Sequence, residues 1–223
     1  MTTVYLSDKR CFNCDAKSKY PMGNLSLGNV GVRDLDGRPT HILRSSVYLW
    51  IQRCPECGYC APEIAQGTDT DRQVVTSEKY REQLENETFP ETANAFLCHG
   101  YIMRNRRLFA DAAWASVFAS WICEDNGYGE SAHTCREMAI DLFTRARNER
   151  QSFADSRLQE QLYLIDLHRR RLRFDIASRL CEEALAGEEP SDRLLDLLYF
   201  EQDLITKKDG GAHSEAEADD PNV

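Results

Sequence analysis

Two Cys-x-x-Cys pairs constrain what this chain can fold into more than any other feature of its sequence. The first is Cys11-Phe-Asn-Cys14 and the second is Cys54-Pro-Glu-Cys57. A Cys-x-x-Cys turn places two thiolates on one side of a tight loop, and two such turns can complete a tetrahedron of sulfurs around Zn(II). The spacing therefore predicts one zinc ion with Cys11, Cys14, Cys54 and Cys57 as its ligands.

The second pair has the residues that such a turn needs, whereas the first departs from the usual pattern. Pro55 presets one φ angle, and Gly58 permits the turn that directs backbone N–H groups at sulfur. In the first pair Phe12 stands where proline is common and Asp15 where glycine is common, although Asp is tolerated in turns. The pairs are also 39 residues apart, and a β excursion with a hairpin at Asp36-Gly37 can fill that gap. Thiols without a metal are the main alternative.

Four thiolates would occupy every coordination position of the ion. No position would be left for a water molecule, so the sequence predicts a structural metal and no catalytic residue. Basic residues beside the two turns could offset the negative charge of the site. They are Lys9, Arg10, Lys17 and Arg53.

Cys60 is not needed for the tetrahedron. It could be an alternate ligand, a redox partner of Cys57 or a small buried thiol. We favour the buried thiol, because the βαβ context of thiol oxidoreductases is absent and no cysteine followed by proline lies shortly downstream, as an iron–sulfur site would need. Cys98-His99 and His133-Thr-Cys135 match no closed metal site, so the remaining cysteines are predicted to be buried in helices. They are Cys98, Cys123, Cys135 and Cys181.

The charge and the apolar content of the chain limit the kinds of partner and the cellular location that we expect. The formal net charge is −10, which disfavours general binding of nucleic acid. Residues 1–66 are the exception, with eight Lys or Arg against six Asp or Glu. The first twenty residues lack a secretory signal and no apolar run approaches the roughly 20 residues of a membrane span, so we expect a cytoplasmic protein without a membrane partner.

The residue pattern changes along the chain and predicts an α+β, predominantly α, protein. Residues 1–66 read as a small zinc-ribbon-like β module, with Ser46–Gln52 as its best strand. Residues 67–89 read as a linker or an exposed helix, and 208–223 as a disordered acidic tail. Between them, 90–207 reads as an antiparallel helical module. Its helices are predicted near 90–104, 107–124, 130–149, 154–172, 174–186 and 191–206.

A weak repeat within the helical region predicts stacked helix pairs. Phe109-Ala112-Ser116-Ala119 and Phe174-Ala177-Cys181-Ala184 have the same spacing, and Ala139-Phe143-Ala146 reproduces its last three positions. Small residues at such positions allow neighbouring helices to approach closely, as in tetratricopeptide repeats. An ordinary antiparallel bundle is the alternative.

Two arginine clusters lie before Phe109 and Phe174, at corresponding positions of the repeat. They could bind an acidic partner or phosphate, although pairing with nearby acidic side chains is the interpretation we favour. The clusters are Arg104, Arg106 and Arg107, and Arg169, Arg170, Arg171 and Arg173.

The motifs CFNC, DLDG, RCPECGY, LIDLHRRRLRFDIASRLCEEAL and YFEQDLITKKD together resemble a bacterial and archaeal family known as domain of unknown function number twenty-two twenty-five. The likeness extends from Cys11 to about Asp209. It implies a split zinc ribbon followed by tetratricopeptide-like helices, with the metal ligands at the four cysteines named above. It implies no activity, and Cys60 departs from the small residue of that family.

These observations predict a noncatalytic, zinc-containing protein-interaction or scaffold protein with a protein partner. The alternative is a nucleic-acid-associated regulator that uses Lys9, Arg10, Lys17 and Lys19 as phosphate contacts. A thiol redox enzyme using Cys57 and Cys60 is the third hypothesis.

Overall fold

A computed structural model of the chain describes residues 3–24, 32–187 and 192–219. Helices dominate it, and the strands of the described residues form two small antiparallel sheets, which confirms the predicted α+β, predominantly α, class. The chain divides into two compact units. Unit 1 draws on Met1–Gly28 and Ile42–Arg145, and unit 2 on Asn29–His41 and Ala146–Val223.

The strands all belong to unit 1. Strand β1 (Thr3–Arg10) pairs with β2 (Lys17–Asn24), in a register that runs from Thr3↔Asn24 to Arg10↔Lys17. Strand β3 (Gln52–Arg53) pairs with β4 (Cys60–Ala61). Each pair is closed by one of the two Cys-x-x-Cys turns, so the strands hold the cysteines in place.

The predicted helices between residues 90 and 206 are confirmed, each within three residues at either end. Four-residue α1 and helices α2 and α3 precede them. The helices are α1 (His41–Arg44), α2 (Asp69–Thr76), α3 (Glu78–Leu84), α4 (Glu91–Asn105), α5 (Phe109–Asp125), α6 (Gly129–Asn148), α7 (Arg157–Arg170), α8 (Phe174–Leu185) and α9 (Asp192–Thr206), with 3₁₀ turns at Val47–Trp50 and Glu215–Asp219.

The strand predicted at Ser46–Gln52 is wrong for most of its length. Val47–Trp50 is a 3₁₀ turn, in which Leu49 donates its N–H to the carbonyl of Ser46 at 2.8 Å. Val47 and Leu49 are buried, and the Trp50 ring packs edge-on against Phe118 of α5, with centroids 5.3 Å apart. Packing against the helix outweighs the β propensity of the apolar residues.

Residues 67–89, predicted as a linker or an exposed helix, contain two helices that pack into unit 1. Thr68 begins α2 with a capping box, in which its side chain and that of Asp71 cap each other's backbone N–H groups. Val75 of α2 and Tyr80 of α3 have no exposed surface. The segment is therefore part of the unit's core.

Aromatic side chains make up much of the rest of that core. The Phe118 ring lies within 6 Å of four other rings, and Phe143 of α6 joins the cluster through Trp114 at 5.4 Å. The four rings around Phe118 belong to Trp50, Phe96, Trp114 and Trp121. All three tryptophans of the chain therefore lie in unit 1.

Among the helices of the described residues, five end in the same turn. The residue after the C-cap has a positive φ angle, and two backbone hydrogen bonds close the turn in a Schellman motif. After α4, Leu108 donates to the carbonyl of Met103 at 2.9 Å; after α7, Arg173 donates to that of His168 at 2.9 Å. The left-handed residues are Arg107, Gly127, Arg150, Leu172 and Lys208. The repeat seen in the sequence is therefore accompanied by a repeated turn.

The small residues of the repeat lie where they were expected, in closely packed helices. Ala112, Ala139 and Ala177 have no exposed surface. Gly100 faces α5 so closely that a Cβ there would lie 3.3 Å from the carbonyl of Ala112. Helices α4 and α5 pack together in unit 1, and α7 and α8 in unit 2.

The structure differs from the sequence prediction for the Asp36-Gly37 hairpin. The turn is present, with Gly37 at φ 80° and its N–H donated to Asp34 at 2.8 Å, but it belongs to unit 2 instead of to a module of residues 1–66. Leu35 lies in the core that α7, α8 and α9 form, and Asp36 makes a buried ion pair with Arg170. Burial of Leu35 and pairing of Asp36 explain why this segment packs there.

Residues 208–219 also differ from the prediction of a disordered tail. Arg169 donates to the carbonyls of Asp209 and Gly211 at 2.8 and 2.9 Å, and Leu35 donates to that of His213 at 2.9 Å. Backbone carbonyls provide these contacts, so an acidic sequence without apolar anchors gave no sign of them. The last four residues of the predicted tail, 220–223, lie outside the described residues.

Candidate metal centre

The first cysteine turn follows β1 directly. Cys11 donates its N–H to the carbonyl of Ala16 at 2.9 Å, and its carbonyl accepts from Asp15 at 2.9 Å. Asp15 has φ 62°, the left-handed conformation that glycine usually supplies at this position. Asp15 thus takes the role predicted for it despite the missing glycine.

The second turn has the same hydrogen bonds. Cys54 donates to the carbonyl of Tyr59 at 2.8 Å and accepts from the N–H of Gly58 at 3.0 Å. Gly58 has φ 73°. A Cβ at Gly58 would lie 2.3 Å from Cδ2 of Leu84 in α3, so the turn also needs glycine for its close packing.

The two turns bring the four predicted sulfurs together. All four Sγ atoms lie within 4.8 Å of one another, with Cys11 and Cys57 3.7 Å apart and Cys14 and Cys54 also 3.7 Å apart. A metal 2.3 Å from each of four tetrahedral sulfurs would separate them by about 3.8 Å. The cluster could therefore hold one metal ion, and no other group of three or more potential ligands occurs in the described part of the chain.

Backbone N–H groups point at the sulfurs, as the turn geometry requires. Burial raises the pKa of Cys54, but hydrogen bonds from the N–H groups of Cys57 and Glu56, together with those from the side chains of Cys11 and Cys14, lower the pKa overall. Burial raises the pKa of Cys11, against the opposing N–H groups of Cys14 and Asn13. Metal coordination requires thiolates, and these N–H groups stabilise that form.

Helix α2 fixes the first turn through Arg72. Its guanidinium donates to the carbonyl of Phe12 at 3.0 Å and to that of Asn13 at 3.2 Å, and Cζ lies 4.8 Å from the centre of the Phe12 ring. The N–H of Phe12 is donated to the carbonyl of Ile64 at 2.9 Å. The first turn is thereby tied to the segment that follows the second.

Asp71 performs the same task for the second turn. Its carboxylate is fully buried and accepts from the N–H and hydroxyl of Thr68, each at 2.9 Å, and from the hydroxyl of Tyr59 at 3.3 Å. Arg106 at the end of α4 pairs with both carboxylate oxygens, which holds the pKa of Asp71 below its usual value despite burial. Asp71, which belongs to α2, therefore connects Tyr59, directly after the second turn, to Arg106 at the end of α4.

Sequence reasoning missed Asp71 and Arg72. The spacing Thr68-x-x-Asp71 is a capping-box signal that could have placed the start of α2. Nothing in the sequence indicates that Asp71 would also meet Arg106, 35 positions away.

Two of the four basic residues expected to offset the charge of the metal site pair with acidic side chains instead. Lys9 pairs with Glu63 at 2.6 Å and Arg53 with Glu91 at 3.2 Å. Arg10 donates to the carbonyl of Asp15 at 3.3 Å and is opposite Lys17 in the sheet, so it lies at the first turn.

Cys60 is not part of the four-sulfur cluster. It has no exposed surface and its thiol donates to the carbonyl of Gly58 at 3.3 Å. Its hydrogen bond to Cys98, together with burial, raises the pKa of the Cys98 thiol far above the ordinary value. Cys98, Cys123, Cys135 and Cys181 are buried in helices, as predicted.

Three of the seven clustered arginines form ion pairs with acidic side chains that are at most 1% exposed. Arg106 pairs with Asp71, Arg170 with Asp36, and Arg169 with Asp166 at 2.6 Å and Glu201 at 2.8 Å. The remaining four flank the repeated turns: Arg104 in the last turn of α4, Arg107 at the left-handed position, Arg171 at the C-cap of α7 and Arg173 at the N-cap of α8. Partner binding by the two arginine clusters stays a prediction.

Comparison with known proteins adds no relative: no family model, no curated protein and no solved structure matches the chain. Within the described residues, none of the helices has both the length and the apolar character needed to cross a bilayer.

Proposed function

We propose that this chain is a noncatalytic protein-interaction or scaffold protein whose unit 1 is held together by one structural Zn(II). The observation that carries the proposal is the four-sulfur cluster, with two Sγ–Sγ distances of 3.7 Å that match the edge of a zinc–thiolate tetrahedron. The four cysteines would fill every position of a four-coordinate ion. Zinc would then supply folding free energy to the two turns.

Zinc is the metal we propose because the donor set is four thiolates. Soft sulfur ligands in a closed tetrahedral arrangement select zinc or iron–sulfur chemistry over the hard cations. A zinc-thiolate site also requires reduced cysteines, which supports our proposal of a cytoplasmic location.

The helical part supports a role in binding another protein. We propose a tetratricopeptide-like stacking of its helix pairs, supported by the Schellman turns at Arg107 and Leu172 and by the buried small residues of the repeat. The motif likeness described above supports membership of the family of unknown function, which we also propose.

The outer strand of unit 1 offers a surface for such a partner. Val4, Tyr5 and Leu6 of β1 are 47, 52 and 65% exposed, and β1 pairs only with β2 within the described residues. An edge strand with consecutive exposed apolar side chains is typical of a site where an extended segment of another protein adds as a further strand.

Affinity capture with mass spectrometry tests the interaction role. We expect the wild-type protein to enrich a defined partner, and the exposed-edge variant Leu6→Lys to lose it at unchanged zinc content. Tyr199→Lys is the control, because Tyr199 is 54% exposed on α9 of unit 2. A wild-type capture indistinguishable from a tag-only control, or a partner retained equally by Leu6→Lys, would contradict the proposal.

A second candidate function is nucleic-acid binding through the strands beside the metal centre. Arg10 and Lys17 are directly opposite each other in the β1–β2 register, and Lys19 is opposite Asp8. Phosphate contacts from this pair would give binding that weakens steeply with salt. Absence of binding to single- or double-stranded RNA and DNA at 50 mM salt would remove this candidate.

A further inference from the structure

The segment that follows α9 lies across unit 2 without a fully buried side chain. We call residues 209–219 the strap, and each of them retains exposed surface, including the 3₁₀ turn Glu215–Asp219. Ala218 packs partly against the core of the unit, and the ring of His213 meets Phe200 edge-on at 5.8 Å. A segment held in this way opens at a lower free energy than the helices, so the strap can leave the surface while unit 2 stays folded.

The surface under the strap holds it by its main chain. Leu35 donates its N–H to the carbonyl of His213 at 2.9 Å, and Glu215 of the strap donates its N–H to the carbonyl of Arg33 at 2.8 Å. Asp34 and Ser214 form an antiparallel bridge between these two hydrogen bonds. Main-chain pairing of this kind is how an extended segment of one protein adds to a strand of another, and it accepts many sequences.

Two arginines reach the strap from the helices. Arg169 of α7 donates to two carbonyls at the start of the strap, at 2.8 and 2.9 Å. Arg193 of α9 donates to the carbonyl of Glu215 at 2.6 Å and pairs with the carboxylate of Asp219. The two side chains of this ion pair are 41 and 62% exposed, so the pair adds little to stability and another carboxylate can replace Asp219.

The strap fits this surface imperfectly at Glu215. Its side chain lies in the wall of a cavity of about 20 Å³, whose other walls include Leu35 and Leu162. Burial raises the pKa of Glu215, and the charges of Arg193 and Arg33 oppose this shift without cancelling it. An apolar side chain at this position would avoid the cost of burying a carboxylate and would pack against the leucines. A segment with such a side chain should therefore bind more tightly than the sequence of the strap.

We propose that the strap is an autoinhibitory segment, which covers a surface of unit 2 that binds an extended segment of a protein partner. The partner segment pairs with the main chain of residues 33–35 and displaces the strap. It places an apolar side chain where Glu215 lies and a carboxylate where Asp219 lies. This inference rests on the interaction role proposed above and gives it a second surface, which the chain itself closes and in which β1 of unit 1 takes no part.

Binding of a labelled peptide to the full-length, metal-loaded protein tests the proposal by fluorescence polarisation. The probe is the strap sequence itself, residues 208–219, with the substitution Glu215→Leu. Wild type should bind it weakly, since the strap competes within the same chain at a roughly millimolar effective concentration. The protein variant Glu215→Pro, which removes the N–H that the strap donates to Arg33, should bind the probe at least about tenfold more tightly.

A charge reversal locates the binding. Arg193→Glu, added to Glu215→Pro, should weaken probe binding at least about fivefold, and a probe that also carries Asp219→Arg should restore it. Far-UV circular dichroism confirms that the variants are folded. Equal binding by wild type and Glu215→Pro, or a loss with Arg193→Glu that the Asp219→Arg probe does not restore, would overturn the proposal. Neither result would touch the interaction role at β1, because Leu6→Lys tests that role separately.

Hydrogen exchange of the wild type tests the opening of the strap without any variant. The N–H of Leu35 is donated to the strap, whereas that of Ile165 belongs to α7. After correction for intrinsic exchange rates, the Leu35 amide should exchange at least about a hundredfold faster than the Ile165 amide. Equal protection of the two amides would mean that the strap opens only when unit 2 unfolds, and would overturn the proposal.

Discussion

Asp15 and Gly58 occupy the same position in the two cysteine turns, but only Gly58 is also constrained by the packing of a neighbouring side chain. Asp15 and Gly58 both hold positive φ angles after the second cysteine of their pair. Gly58 additionally faces Leu84, whose Cδ2 would lie 2.3 Å from an added Cβ. Conformation alone would permit Asp or Asn at Gly58, but packing does not.

Gly58→Ala should therefore destabilise unit 1 by about 2–4 kcal/mol, since the left-handed conformation and the overpacking of Leu84 both contribute. Two glycines of the same unit separate these effects. Gly127 has φ 77° and open space around it, so Gly127→Ala should cost only about 1 kcal/mol. Gly129→Ala, with neither constraint, should change stability by less than about 0.5 kcal/mol.

Urea unfolding followed by tryptophan fluorescence measures all three variants, because the tryptophans report on unit 1. Equal losses for Gly58→Ala and Gly127→Ala would contradict the packing argument.

The buried charge of Asp71 is balanced by Arg106 in the same unit. Asp71→Asn leaves Arg106 without its buried partner and should lower the free energy of unfolding by about 3 kcal/mol at pH 7. Asp69→Asn is the control. Asp69 is fully exposed in the first turn of α2, and its distance of 3.9 Å from Arg72 is long for an ion pair.

The pH dependence provides an independent check on Asp71. Because its pKa is lower in the folded than in the unfolded state, its stabilising contribution is present above the ordinary pKa near 4 and is lost as pH falls below that value. Wild type and Asp71→Asn should differ by less at pH 3 than at pH 7, as measured by urea unfolding. A difference that grows on acidification would show that Asp71 is not stabilised as its carboxylate.

Turns at the ends of the helices are the most regular feature at the element scale. Four of the five Schellman turns place a residue other than glycine at the left-handed position. A residue with a side chain is strained in the left-handed conformation, whereas glycine is not. Replacing such a residue with glycine should therefore raise the free energy of unfolding.

Arg150→Gly, at φ 58°, should consequently stabilise unit 2 by about 1 kcal/mol. Glu183→Gly, at an exposed interior position of α8, should instead lose about 0.5–1 kcal/mol because glycine is a poor helix former. Far-UV circular dichroism during urea unfolding compares the two. A loss of stability in both variants would mean that Arg150 makes a contact that outweighs its conformational strain.

Elements with a local signal were predictable, and elements decided by distant contacts were not. The apolar spacing of Trp114, Val117 and Phe118 predicted the bounds of α5 to within two residues. The Cys-x-x-Cys spacing identified the four cysteines whose sulfurs cluster. The strand expected at Ser46–Gln52 failed because contact with Phe118, far downstream in α5, decides the conformation there. Likewise the burial of Leu35 in unit 2 depends on helices more than 120 residues downstream.

The two units of the chain are stabilised by different chemistry. Unit 1 contains the four-cysteine cluster and the aromatic cluster, and unit 2 contains a buried polar group formed by Asp166, Arg169 and Glu201. Burial and the neighbouring Asp166 raise the pKa of Glu201 to about 8, although Arg169 opposes the shift.

Unit 2 should therefore lose stability as pH rises. A raised carboxyl pKa means that the folded state holds its proton more tightly than the unfolded state. The contribution is present in full below the ordinary pKa near 4.5 and disappears as pH rises through about 8. Glu201→Gln should flatten this dependence between pH 6 and 9, and Glu182→Gln, on the exposed face of α8, should not.

Far-UV circular dichroism follows both units during urea unfolding, and tryptophan fluorescence follows unit 1 alone. The pH-dependent change should appear only in the circular dichroism. A matching change in the fluorescence transition, or a pH dependence that survives in Glu201→Gln, would contradict the assignment to Glu201.

We infer that Cys11, Cys14, Cys54 and Cys57 hold one structural zinc ion and that Cys60 does not take part. Native mass spectrometry with elemental analysis of the wild type, Cys57→Ser and Cys60→Ser tests it most directly, because the two variants remove thiols only three positions apart. We expect one zinc per chain in the wild type and in Cys60→Ser, and substantially less than one in Cys57→Ser. Zinc retained in Cys57→Ser and lost in Cys60→Ser, or a wild-type chain that binds no zinc, would contradict it.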